Sequence, residues 1–211
     1  IVPCGLLLRP APSHKIVAPQ GATPQSQRSS PSYSLLQATR RAPFWTLMAI
    51  FASVALGLFL VAVHIVAYAT DMGLSAAEGA SILGFFGVSR MFGMLGVGAL
   101  SDRIGGKRAL AICLIIQTAA ILWLIPAHKL WAFYLFGLGF GFATGGWQPL
   151  FPTIVGKFFG MKSFGAIFGV IFLGGTIGAA IGPVLGGWIF DIARSYHPAF
   201  LAAASVSFGA A

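Results

Sequence analysis

Arg90, in the run FFGVSRMFGML, is the one residue with a fixed charge inside a long apolar stretch of this 211-residue chain. A guanidinium is permanently protonated, offers five N–H donors in a planar fork and has no acceptor. Its natural chemistry in apolar surroundings is to hold an anion, and a carboxylate matches the fork with both oxygens. The other reading is structural: a partner for backbone carbonyls, or for side chains of a segment outside this sequence. Further along, Trp147 and Gln148 precede Pro149, whose missing N–H frees a carbonyl that could line a cavity. Either they touch a substrate, or Trp147 simply packs and Gln148 hydrogen-bonds between helices. His64, with Tyr68 four residues on, forms a polar stripe near the end of an apolar run, where an interfacial histidine is the competing reading.

Other chemistries find no support. The acids Asp71, Glu78, Asp102 and Asp191 all fall at the ends of apolar runs, so no paired carboxylate forms within one run. No nucleophile is matched with a base and no ligand cluster has metal spacing, so neither enzyme, metal nor cofactor is expected. Cys4 and Cys113 are far apart in apolar surroundings and read as small buried hydrophobes.

The elements that must position these residues follow from composition. The chain is 57% hydrophobic and only 8% charged, whereas a soluble domain is about a quarter charged. Such a chain cannot clothe a water-facing surface, so its solvent is lipid. Runs of about 20 apolar residues cross the hydrocarbon core as helices, and these runs lack the alternation of barrel strands. The expected fold is an all-α membrane bundle with spans near 44–68, 79–100, 109–125, 130–155 and 163–190, and a truncated sixth at 198–211. Residues 1–8 read as the tail of an earlier helix and 9–43 as a polar linker, with one short helix in SYSLLQATRRA. The sequence therefore reads as part of a longer protein.

Alternating the spans places Arg9, Lys15, Arg28, Arg40, Arg41, Arg103, Lys107, Arg108, Lys157 and Lys162 on the linker side. Lys129 and Arg194 fall opposite, with Asp71, Glu78 and Asp191. This asymmetry makes the linker side cytoplasmic, in a multi-pass protein of the plasma membrane. It also accounts for the formal charge of +9 without nucleic acid as a partner. On this topology Arg90 lies twelve residues before Asp102, or ~18 Å into a core roughly 30 Å thick. A charge so deep costs at least ~2.5–3.5 kcal/mol and by default marks a functional site. Trp147 and Gln148, about ten residues before Lys157, lie at a similar depth of ~15 Å.

The segment GALSDRIGGKR concentrates four charges within Asp102–Arg108 on the basic side, between two spans. It resembles the signature loop of the major facilitator superfamily, with Gly98, Leu100, Asp102, Arg103, Gly105, Lys107 and Arg108 matching. Gly105 and Gly106 suit a tight turn with positive φ, and Asp102 can pair with bases or a helix N-terminus. The resemblance implies that this loop latches one conformation of an alternating-access cycle. Read without it, the loop is an ordinary basic loop serving topology. GAAIGPVLGG is a second match: Gly174, Gly178, Gly182 and Gly186 form a smooth ridge for close helix approach, and Pro183 should bend the span.

FGLGFGFATGGWQPLFPTIVGKFFG and GPVLGGWIFDIARSYHPAF resemble the closing helices of the monocarboxylate-transporter and oxalate–formate-antiporter branches. The chain thus resembles a C-terminal six-helix half, with an N-terminal half as its missing partner. In those branches an arginine on the second helix of this half binds substrate carboxylate, and Arg90 is on the matching helix. Two positions depart from the pattern: Phe86 replaces an aspartate one turn before the arginine, and 164–190 carries no lysine. One cation favours a monocarboxylate. The implied function is secondary transport of a small organic anion, by gradient or exchange with a coupling ion or second anion. A non-transporting receptor on the same fold, or a carrier of an unrelated solute, is the alternative.

Overall fold

The computed structural model describes residues 33–210, and every regular element among them is an α-helix. A short helix α1 spans Leu35–Thr39, followed by α2 Ala42–Asp71, α3 Ala76–Ile104, α4 Gly106–Leu124, α5 Leu130–Phe159, α6 Phe164–Ala193 and α7 His197–Gly209. The readings of 1–8 and most of the linker, with Cys4, Arg9, Lys15 and Arg28, lie outside the described residues. Long helices run over the apolar stretches, and most reach beyond them because polar end residues continue the helix without registering in hydropathy. Ser75 and Glu78 form a capping box that starts α3 three residues ahead of its apolar run. Ser34 and Gln37 do the same for α1, within the stretch expected to hold a short helix.

Four of the helices, α2, α3, α4 and α6, are long and apolar enough to cross a membrane. α5 is as long as α2, at 30 residues, but its glycines, tryptophans and prolines dilute its hydropathy. α7 has 13 residues in the structure.

Two helix pairs dominate the packing, α2 with α6 and α3 with α5, while α4 and α7 close the back of the bundle against α5 and α2. Both pairs touch backbone to backbone. On α6 the predicted ridge lies along α2: a Cβ on Gly182 would stand 2.5 Å from the Leu56 carbonyl, and one on Gly178 would overlap the Ala52 carbonyl. Gly174 faces Met48 and Gly186 faces His64. The helix remains unbroken across Pro183. An equivalent ridge on α5, Gly137, Gly141 and Gly145, lies along α3 and was not anticipated. Its period of four is the one visible in the α6 ridge.

The helix ends segregate as the alternating topology requires. Lys107 at the start of α4 places Nζ 4.6 Å from the Phe158 ring centre at the end of α5. The backbone N–H of Tyr33 donates to the Phe159 carbonyl at 3.0 Å, docking α1 at the same end. At the opposite end the Tyr68 hydroxyl donates to the last carbonyls of α4, Leu124 at 3.3 Å and Ile125 at 3.1 Å, and meets His197 Nε2 at 3.4 Å.

Candidate functional site

α3 carries Arg90 at its midpoint, twelve residues from Glu78 at one end and twelve from Asp102 at the other. At 1.5 Å per residue each carboxylate is ~18 Å away along the axis. The other described acids, Asp71 and Asp191, also sit at helix ends. The half-buried guanidinium instead finds a neutral partner: Nη2 donates to Gln148 Oε1 of α5 at 3.0 Å. Arginine has no acceptor, so the Gln148 carbonyl must face it, and the Gln148 amide hydrogens remain available on the same face. The arrangement is a cluster of donors around one positive charge, able to receive an anion.

The glycine ridge on α5 makes this meeting possible. Gly145 lies against the Arg90 backbone carbonyl, and Gly141 against Phe86 and Ser89, so side chains there would force α3 and α5 apart. Ser89, 3% exposed, donates to the Leu138 carbonyl at 2.6 Å and ties the pair again. Toward the other end of this contact, Ser81 Oγ and the Tyr134 hydroxyl lie 2.8 Å apart.

The remaining predicted residues separate. Trp147, next to Gln148 in sequence, points the other way: it is buried, and its Nε1–H donates to Gln117 Oε1 of α4 at 3.1 Å. Successive helical residues diverge by about 100°, so Gln148 faces outward while Trp147 packs edge-on against Phe51 and Phe151. His64, on α2, faces α6 and not the α3–α5 contact that holds Arg90. Its Nδ1 lies 2.8 Å from the Leu60 carbonyl, and its ring packs on Gly186 and 5.4 Å from the Tyr196 ring centre.

In the loop from Gly98 to Arg108, Asp102, Arg103, Lys107 and Arg108 are all exposed. Gly105 has φ +89°, as the turn requires. Gly106 does not share it. Positive φ is confined to Gly105 here, and Gly106 is the buried first residue of α4, against Ile154. A Cβ there would stand 3.4 Å from Ile154 Cγ1, an ordinary contact. A separate apolar groove of about 460 Å³, between α2, α4, α5 and the end of α7, contains Lys107 but not Arg90.

Sequence reasoning passed over Gln117, Ser207 and the ridge Gly137–Gly141–Gly145. The ridge could have been read from its period. Gln117 was visible only as a lone amide in the apolar run LAICLIIQTAAILWL.

Long glycine-packed apolar helices, a basic end and a midpoint cation define a polytopic membrane protein with a polar Arg90–Gln148 pair between α3 and α5. The family profile of the Major Facilitator Superfamily matches residues 1–150 and again 91–211, and the chain belongs to that superfamily. The chain is 28% identical to monocarboxylate transporter 12 of Rattus norvegicus over 143 residues, covering 66% of this chain and 29% of that protein. It is 25% identical to monocarboxylate transporter 13 of Bos taurus over 205 residues, covering 96% of this chain and 46% of that protein. The fold is similar to that of the fucose:proton symporter of E. coli, with a TM-score of 0.66, 22% identity, and coverage of 83% of this chain and 43% of that one. The chain thus spans less than half the length of these relatives.

Proposed function

We propose that the full carrier performs secondary transport of a small organic anion, a monocarboxylate, by alternating access. Arg90 receives the carboxylate, and the free amide hydrogens of Gln148 add a donor beside it. The observation that supports this most is the charge balance at Arg90: a half-buried guanidinium at the middle of α3, answered by a neutral amide and not by a carboxylate. A cation so placed favours an arriving anion, and the monocarboxylate transporters among its relatives agree with that charge. The partner half, with its own six helices, completes the cavity on the face that bears Gln148. The loop Gly98–Arg108 lies on the cytoplasmic side of the plasma membrane and acts as the conformational latch.

Purified full-length carrier in proteoliposomes, given an imposed pH or counter-anion gradient, should accumulate a monocarboxylate above protein-free vesicles. A dicarboxylate of similar size should be taken up more slowly, because one guanidinium neutralises one carboxylate. Uptake of a neutral or cationic solute with no response to any carboxylate would overturn the proposal.

A further inference from the structure

The turn of α5 that presents Gln148 to Arg90 is poorly supported by its own backbone. It reads Gly145-Gly146-Trp147-Gln148-Pro149, with Pro152 one turn on. Pro149 supplies no N–H to the Gly145 carbonyl, and Pro152 none to that of Gln148. Adjacent glycines add backbone freedom. Side chains must therefore set the rotation of this turn.

From the site side, Arg90 does so through Gln148. From the opposite side a buried chain of hydrogen bonds does so. Trp147 Nε1–H donates to Gln117 Oε1 at 3.1 Å, and Gln117 Nε2 donates to Ser207 Oγ of α7 at 3.3 Å. Gln117 and Ser207 are fully buried. Gly57 of α2 closes the chain, since a Cβ there would lie 2.8 Å from Ser207 Oγ and 3.4 Å from Gln117 Nε2. The amide orientation is fixed by chemistry, because an indole N–H can only donate and so must meet the Gln117 carbonyl.

We propose that Gln117 is a positioning residue for the anion site: by anchoring Trp147 it sets the rotation of the α5 turn that holds Gln148 against Arg90. This rests on the reading of Arg90 as the anion-binding group. At a side-chain radius of ~5–6 Å, a rotation of about 10° moves the Gln148 amide by ~1 Å, enough to lose a hydrogen bond. Misplacement on that scale can cost up to about a hundred-fold in function.

The test uses the full-length carrier, with acetate, propionate, butyrate and benzoate as probes, following the tightest binder. Gln117→Leu removes both bonds at similar volume, and should weaken binding about ten-fold and raise KM with little change in kcat. Gln117→Glu should restore affinity, because a carboxyl buried there stays protonated and can both accept from Trp147 and donate to Ser207. Trp147→Phe removes the indole donor and should match Gln117→Leu, with the double variant no worse than either. It also decides the matter should Gln117→Leu fail to fold. A purely structural role would lower yield and melting temperature but leave the affinity of folded molecules unchanged. Unchanged affinity in folded Gln117→Leu and Trp147→Phe, beside lost binding in Arg90→Gln, would overturn the proposal and leave the anion site standing. Full binding in Arg90→Gln would overturn both.

Discussion

Gly141→Ala and Gly139→Ala make the same change two residues apart on α5, and the structure gives them opposite signs. A Cβ at Gly141 would stand 2.6 Å from the Phe86 carbonyl oxygen and 2.8 Å from Ser89 Cβ, both on α3. Ordinary contact begins near 3.4 Å, so the helices must part by ~0.8 Å or the backbone must shift. Overpacking of this kind costs about 1–3 kcal/mol. The gain from replacing a mid-helix glycine offsets about 0.5–1 kcal/mol of that. The net loss is on the order of 1–2 kcal/mol, or a fall in Tm of about 2–8 °C for a chain of this size. The Ser89–Leu138 hydrogen bond of 2.6 Å would be disturbed in the same movement. Gly139 faces the other way, and its Cβ would meet Ala120 Cβ at a comfortable 3.6 Å. Gly139→Ala should therefore raise Tm by a degree or more. Thermal unfolding of the purified protein in detergent, followed by tryptophan fluorescence or light scattering, separates the two. Equal shifts, or no loss in Gly141→Ala, would refute the claim that α3 and α5 touch through their backbones.

Further expectations concern the two ends of the bundle. Tyr68→Phe removes the hydroxyl that meets Leu124, Ile125 and His197, and should cost about 1 kcal/mol, read as a Tm fall of ~2–4 °C. Burial, with smaller contributions from Asp71 and Asp191, raises the Tyr196 phenol above its ordinary value of 10. The folded protein then holds that proton more tightly than the unfolded chain, so this stabilisation is present below pH 10 and lost as pH rises through the folded value. Wild-type Tm should accordingly fall more steeply above pH 10 than that of Tyr196→Phe. In the full carrier, Asp102→Asn should slow uptake while insertion stays normal, because orientation depends on Lys and Arg. Cysteine labelling from both sides alongside uptake checks this, and normal uptake in a correctly inserted variant would remove the latch role.

The spans were legible because lipid imposes a blunt rule: each needs about 20 apolar residues in a row, and the basic residues gather at one end. Arg90 was legible for the same reason, as the exception to that rule. The ridge on α6 was read from its period, and its counterpart on α5 was missed although it has the same period. Side-chain direction was harder. Trp147 and Gln148 were taken together because they are adjacent, yet a helix turns them apart, toward Gln117 and Arg90. The Gln117–Ser207 bond joins residues 90 positions apart, and nothing local in the sequence marks such a pairing. Gly106 was grouped with Gly105 as a turn residue, whereas the positive φ falls on Gly105 and Gly106 already begins α4.

The central claim is that Arg90 binds the carboxylate of a small organic anion, and its most direct test is ligand-induced thermal stabilisation of the full-length carrier against mono- and dicarboxylates. Losing one partner of a desolvated charge pair commonly costs 2–5 kcal/mol, or about 30- to several-thousand-fold in affinity. Wild type should be stabilised by a monocarboxylate, Arg90→Gln should show almost no shift, and Arg90→Lys should fall between, since an ammonium cannot reproduce the planar fork. A shift in Arg90→Gln equal to that of wild type at every concentration would contradict the account.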